Sequence, residues 1–211
     1  MDYAEEGDLL HLIQKRKKSN HFSEQTIWEY AWQLCLAILH IHANGIVHRD
    51  IKASNILWTK ETEETEPGRG KGYTLKLTDL GESSELSETK FMKGKIVGTP
   101  LFLSPEVIRH DNYDHRVDIW ALGWVLYHLA TLEPPFSGSS HEILMNAIQF
   151  KTLKPLRFFS KKLKIFIGKM LEKQKIRRPF IVELFGMFPS GFKLEREIDV
   201  SFNWIFNFQQ N

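Results

Sequence analysis

Apolar residues recur at helical spacing between Ser23 and Asn44, at Ile27, Tyr30, Ala31, Leu34, Cys35, Ile38 and Leu39, and the stretch therefore predicts an amphipathic helix. Ser23 stands where a capping side chain is wanted, and Gly45 where a helix stops. A shorter helix is predicted from Asp8 to Gln14, followed by the basic run Lys15 to Lys18, which reads as a solvated helix end and turn. The pattern then changes. Two aliphatic or β-branched stretches, Asn55 to Trp58 and Tyr73 to Leu77, flank Thr59 to Gly72, which is acidic at first and glycine-rich afterwards; together they predict a hairpin with a long mobile loop. Gly81 to Gly94 is rich in Ser, Glu and Lys without periodicity and predicts a flexible loop. Asp118 to Thr131 is apolar on nearly every side, the mark of a buried central helix rather than a surface one. Further helices are predicted at His141 to Phe150, at Ser160 to Glu172 and after Pro179, and no internal repeat is present.

Composition narrows the picture only a little. The 211 residues are 42% hydrophobic and 26% charged, ordinary globular values that allow one sizeable core. Lys plus Arg is 28 against 26 for Asp plus Glu, so the net charge of +2 gives no general attraction to nucleic acid or to a membrane surface, and any basic binding site must be local. The single cysteine, Cys35, excludes an intramolecular disulfide and falls on the apolar face of its helix, which reads as core rather than as a reactive thiol. No apolar run is long enough to span a membrane and the first residues are acidic, so a cytoplasmic protein with neither nucleic acid nor membrane as partner is expected.

The chemistry is concentrated after the first long helix, in His48-Arg49-Asp50-Ile51-Lys52-Ala53-Ser54-Asn55, with Asp79-Leu80-Gly81 at the end of the second strand. Singly, His48, Asp50 or Asp79 reads as a cap, a turn former or a surface residue. In order, on a helix, loop and hairpin, and followed by Gly98-Thr99-Pro100 and Ser104-Pro105-Glu106, they resemble the protein-kinase family over about residues 1 to 188. Phosphoryl transfer needs positioning and charge neutralisation more than covalent chemistry. The resemblance implies that Asp50 orients the acceptor hydroxyl and takes its proton late, and that Lys52 offsets charge on the transferring phosphoryl. It implies that Asn55 and Asp79 hold Mg2+ for ATP, a hard cation that prefers oxygen ligands. His48 and Leu80 would be packing elements of a regulatory spine, and Thr99 would hydrogen-bond near Asp50 and Lys52. Asp118 would anchor the loop from beneath, with Glu106 and Arg178 as a buried ion pair; these three are structural.

The same frame makes Met1 to Leu9 resemble the hinge between two lobes, with Met1 as gatekeeper, the backbone of Asp2 and Ala4 facing adenine, Asp8 near the ribose and Leu57 as the adenine floor. The expected fold is thus mainly α: a protein-kinase-like large, C-terminal lobe with a small β-hairpin at the cleft and the N-terminal lobe absent, over residues 1–188, followed by an aromatic tail over 189–211. Lys52 two residues after Asp50 resembles serine/threonine kinases, so protein substrates with Ser or Thr acceptors are implied, and the hinge and loop wording is most similar to the NIMA-related kinases. Leu80 replaces the family's Phe without touching Asp79. Lys95 stands where many relatives carry an activating phosphothreonine, and beside Arg49 it would repel rather than pair. Phosphorylation, if it is the switch, then falls to Ser83, Ser84, Ser87 or Thr89; otherwise these are solvated loop hydroxyls. Gly68 to Gly72 is no phosphate cradle, because it lies inside a hairpin loop and not between a strand and a helix. The alternating Phe202, Trp204, Phe206 and Phe208 suit a stretch docked on its own domain or a partner motif. Three accounts fit a chain that starts at the hinge: a fragment of an active kinase, a truncated binding or scaffold protein with its docking partner unknown, or a lobe completed by another polypeptide.

Overall fold

The computed structural model describes residues 7–16, 21–60, 73–85, 103–190 and 192. Helix α1, Leu9–Lys15, starts where Asp8 accepts a hydrogen bond from the His11 N–H at 2.7 Å, and it buries Leu9 and Ile13, one turn apart. Helix α2, Glu24–Ala43, is capped by Ser23, whose hydroxyl accepts from the Thr26 N–H at 3.0 Å, and it ends where Gly45 takes φ +72°. Every apolar position that predicted this helix is buried, and Cys35 is wholly enclosed, so burial raises its thiol pKa and leaves it inert.

Strand β1, Ile46–Val47, leads into the loop 48–52 and a 3-10 turn, Ala53–Asn55. Strands β2, Ile56–Lys60, and β3, Tyr73–Leu77, form the expected antiparallel hairpin, with Ile56 opposite Leu77 and Trp58 opposite Leu75. Gln33 on α2 fastens it: its Nε2 donates to the Tyr73 carbonyl at 3.0 Å and its Oε1 accepts from the Leu75 N–H at 2.8 Å. The first part of the expected flexible loop is instead strand β4, Ser84–Glu85, which pairs antiparallel with β1. A two-residue strand has no room for alternation, and its partner lies 39 positions back (Ile46 opposite Glu85), so no local pattern announces it.

The rest is helical: α3, Pro105–Ile108; α4, Arg116–Thr131; α5, His141–Phe150; α6, Lys161–Met170; and α7, Ile181–Phe185. Helix α4 begins two residues before Asp118, and α6 is shorter than its apolar pattern, because Ser160 is its cap and Leu171 its end. As expected, α4 is buried on nearly all sides, Trp120 and Trp124 included. It touches α6 where Gly123 faces Met170, and α2 runs alongside. At the far end an aromatic cluster joins α2, α6 and the chain after α7, with Trp28 4.8 Å from Phe166 and 5.4 Å from Phe188. Phe192, within the expected tail, packs on Trp32 and Phe188 at 6.0 and 5.6 Å. Among the described residues no helix is long and apolar enough to cross a membrane.

Candidate active site

The loop after β1 is held by its backbone. Arg49 adopts φ +68°, a left-handed conformation that costs a side-chain-bearing residue on the order of 1 kcal/mol. Asp118 offsets that cost from below: Oδ2 accepts from the His48 N–H and Oδ1 from the Arg49 N–H, each at 2.9 Å. The ring Nε2 of His42 lies 2.8 Å from the same carboxylate. Burial pushes the Asp118 pKa up, but the bonds from His42, Arg49 and His48 outweigh it, and the group lies below the usual carboxylate range. The expected anchor role of Asp118 is therefore visible in the geometry. So is the buried pair of Glu106 and Arg178, bidentate at 2.7 and 3.0 Å.

Above this floor the predicted loop residues converge. Lys52 Nζ lies 2.6 Å from Asp50 Oδ2, and Asn55 Nδ2 donates to both the carbonyl and Oδ2 of Asp50 at 3.0 Å. Both acceptors are oxygens, which fixes the amide orientation and turns Asn55 Oδ1 away from Asp50. His48 is fully buried; its Nδ1 accepts from the Asp50 N–H at 3.3 Å, so Nε2 carries the proton and donates to the Thr78 carbonyl at 3.2 Å. Thr78 answers from the hairpin, giving its N–H and its hydroxyl to the Asn55 carbonyl at 2.9 and 3.1 Å. The next residue, Asp79, is solvent-exposed at φ +67°, and its Oδ1 accepts from the Gly81 N–H at 3.2 Å. The structure thus brings Asp50, Lys52 and Asn55 into direct contact and joins Asp79 to them through Thr78.

Leu80 departs from expectation. It is 52% exposed and not packed among the described residues, whereas His48 is buried. The turn that follows β3 points it outward, and that turn is closed by Ser83, whose hydroxyl and N–H both donate to the Leu80 carbonyl at 2.6 and 3.0 Å. Arg49 Nε then donates to the Glu82 carbonyl at 2.5 Å, fastening this turn to the loop. On the other side of the hairpin, Asp8 and Leu57 form an isolated antiparallel bridge, and the Trp58 N–H donates to the Gly7 carbonyl at 3.1 Å. Met1, Asp2, Ala4, Lys95 and Thr99 lie outside the described residues, as do Ser87, Thr89, the Gly68 to Gly72 stretch and the aromatic positions 202–208.

Two contributors carry no sequence signal. His42 stands at a helix end, where a histidine ordinarily serves the helix dipole, and Thr78 directly follows the last residue of β3. The donor set can be tested against a metal. Asn55 and Asp79 offer oxygens only, and among the described residues no group of three or more His, Cys, Asp or Glu forms a metal cluster. One carboxylate and one amide oxygen suit Mg2+, which keeps waters and phosphate oxygens as its remaining ligands.

The family model for the protein kinase domain matches residues 1–187. The chain is 34% identical over 185 residues to the mouse serine/threonine-protein kinase Nek5, covering 87% of this chain and 28% of that protein. It is 35% identical to nekl-2 of Caenorhabditis elegans, over 87% of this chain and 50% of that protein. It is 36% identical to the probable serine/threonine-protein kinase nek1 of Dictyostelium discoideum, over 82% and 37%. The chain therefore spans between about a quarter and a half of the length of these relatives.

Proposed function

We propose, from the premise that this chain belongs to the protein kinase family, that it furnishes the large lobe of a serine/threonine kinase acting on proteins with Mg-ATP. The observation that carries this reading is the contact set in which Lys52 and Asn55 share the Asp50 carboxylate while Thr78, the residue before Asp79, is bonded to Asn55. In this reading Asp50 accepts the hydrogen bond of a Ser or Thr hydroxyl and receives its proton late, after the bond to phosphorus has largely formed. Lys52 is tethered at Asp50 in the free protein and moves its ammonium to the transferring phosphoryl, where negative charge must be offset. Asn55 Oδ1 and the Asp79 carboxylate hold Mg2+, which when bound neutralises and orients the phosphate oxygens. Leu57 forms the floor beneath adenine, with Asp8 at the ribose; one oxygen of Asp8 is already engaged as the cap of α1. The Asp2 and Ala4 backbone completes the adenine edge in the same proposal.

Names of relatives support the acceptor class: each of the three is a serine/threonine-protein kinase by name. The test is transfer of labelled phosphate from Mg-ATP to a generic protein substrate by the chain joined to a kinase small lobe, with hydrolysis of the product to identify the phosphoamino acid. Phosphoserine and phosphothreonine are expected. Asp50→Ala should lower the rate by roughly 10²–10⁴-fold, the range that a positioned general base supplies, while the chain stays folded. Near-normal turnover in that variant removes the assignment of Asp50.

A further inference from the structure

The charge of this molecule is nearly balanced overall but not locally: between residues 151 and 171 there are seven Lys or Arg and no Asp or Glu. The fold gathers much of this charge on one surface. On α6, Lys161, Lys162, Lys164 and Lys169 are all exposed, on the side away from the buried Leu163, Phe166, Ile167 and Met170. Lys164 reaches back to the Arg157 carbonyl at 3.5 Å, which ties the helix to the preceding turn. That turn is pinned and not frayed: the Ser160 N–H and hydroxyl both donate to the Glu24 carboxylate, at 2.8 and 2.5 Å. Glu24 also accepts from Trp28 Nε1 at 3.2 Å, so its carboxylate is engaged by its own hydrogen bonds.

On the pinned turn Phe158 stands 84% exposed beside a surface recess of about 280 Å³, lined also by His21, Ala130, Glu133, Leu156 and Phe159. His21 meets the Phe158 ring at 6.1 Å between centroids, and Arg16 donates to the His21 carbonyl at 3.4 Å, which brings the end of α1 to the same edge. The recess is smaller than the roughly 300–1,000 Å³ of small-molecule sites, a size that suits one bulky side chain. Glu133 on its wall disfavours an anionic group inside, whereas the lysines and Arg157 favour anions on its rim. A bilayer surface cannot enter a concavity, and a phosphate backbone gains nothing from an apolar recess holding a carboxylate.

We propose that this face docks an acidic protein segment carrying one bulky apolar side chain, the apolar residue entering the recess beside Phe158 and the flanking carboxylates meeting Arg157 and the α6 lysines. Charge complementarity sets the register and the salt dependence, and burial of the apolar side chain supplies the affinity. The surface stands apart from the loop 48–55, so the proposal does not depend on phosphoryl transfer.

Fluorescence anisotropy of the full 211-residue chain with a labelled peptide EEDFEEDE, and with its counterpart EEDSEEDE, tests this directly. The phenylalanine peptide should bind at least about tenfold more tightly than the serine peptide, since only phenylalanine brings an aromatic ring to bury in the recess. Binding should weaken as salt is raised from 50 to about 300 mM. The triple variant K161E/K162E/K164E should lose about tenfold or more, and F158S, at an exposed position that folding does not need, should lose most of the preference for phenylalanine. Equal binding of the two peptides, or full binding by the triple variant, overturns the proposal. So does tighter binding, lost in the same variants, to phosphatidylserine vesicles or to polyuridine RNA, which would assign the face to a lipid or a nucleic acid instead.

Discussion

Asp118 has no contact with water, yet three donors from two segments end on its carboxylate, and through them the loop keeps Arg49 at positive φ. The same corner contains a titratable group with the opposite problem. His115 lies 4.6 Å from the His42 ring between centroids, its Nε2 is buried without a hydrogen-bond partner among the described residues, and burial with help from His42 lowers its pKa to about 4. The unfolded chain protonates this ring near pH 6.5 but the folded chain only near 4, so the unfolded state binds more protons between those values. Stability must therefore fall as pH drops through that window and level off below it. After discounting for solvent screening, the loss attributable to His115 is about 1–2 kcal/mol. Urea unfolding at pH 7 and at pH 4.5 should show His115→Gln losing less stability on acidification than the unaltered chain; parallel losses would contradict the assignment. At this scale the sequence made Asp50, Lys52, Asn55 and Asp79 legible because a motif encodes chemistry at fixed spacing. His42 and Thr78 were not legible, because their partners, Asp118 and Asn55, lie 76 and 23 positions away.

Helices proved readable from periodicity alone, and the small strand pair β1–β4 did not. The difference is physical: α2 has five turns over which a 3.6-residue pattern can build up, whereas two residues of strand carry no period and are stabilised by a pairing that only the folded loop creates. That pairing brings the segment after Asp79 back beside the strand that leads into His48. Contact between helices sets a separate constraint that sequence leaves unmarked. Gly123 sits in the middle of α4, where glycine is unfavourable for a helix, and a Cβ there would lie 2.6 Å from Met170 Cβ and 3.1 Å from Leu171 Cγ. Closeness of α4 to α6, not backbone freedom, explains the residue. Gly123→Ala should accordingly destabilise the protein by about 1–3 kcal/mol despite alanine's better helix propensity, read as a lower denaturant midpoint. A neutral or stabilising result would mean that the two helices are packed less closely than described.

For the molecule as a whole, the main core built on α4 carries two unlike faces. One is the loop and hairpin that converge on Asp50, and the other is the basic surface of α6, with the recess beside Phe158. The buried pair of Glu106 and Arg178 holds α3 to the chain before α7, and Arg178 also donates to the Arg116 carbonyl at 2.8 Å, at the start of α4. Helices α3 and α4 and the chain before α7 are thereby tied together. The architecture was legible in outline because the kinase motifs fix the order of helix, loop and hairpin; the basic surface was hidden by a net charge of only +2, which averages over both faces. The central claim is that Asn55 and Asp79 form a Mg2+ site serving Asp50, and the most direct measurement is the initial rate of phosphate transfer from ATP as Mg2+ is raised, in the chain joined to a kinase small lobe. With Asp79→Asn the half-saturating Mg2+ concentration should rise by about tenfold or more, and excess metal should restore part of the rate, because one carboxylate ligand has been lost while Asp50 and Lys52 remain in place. An unchanged Mg2+ dependence in Asp79→Asn, with the rate intact, would show that the metal is held elsewhere and contradict the account.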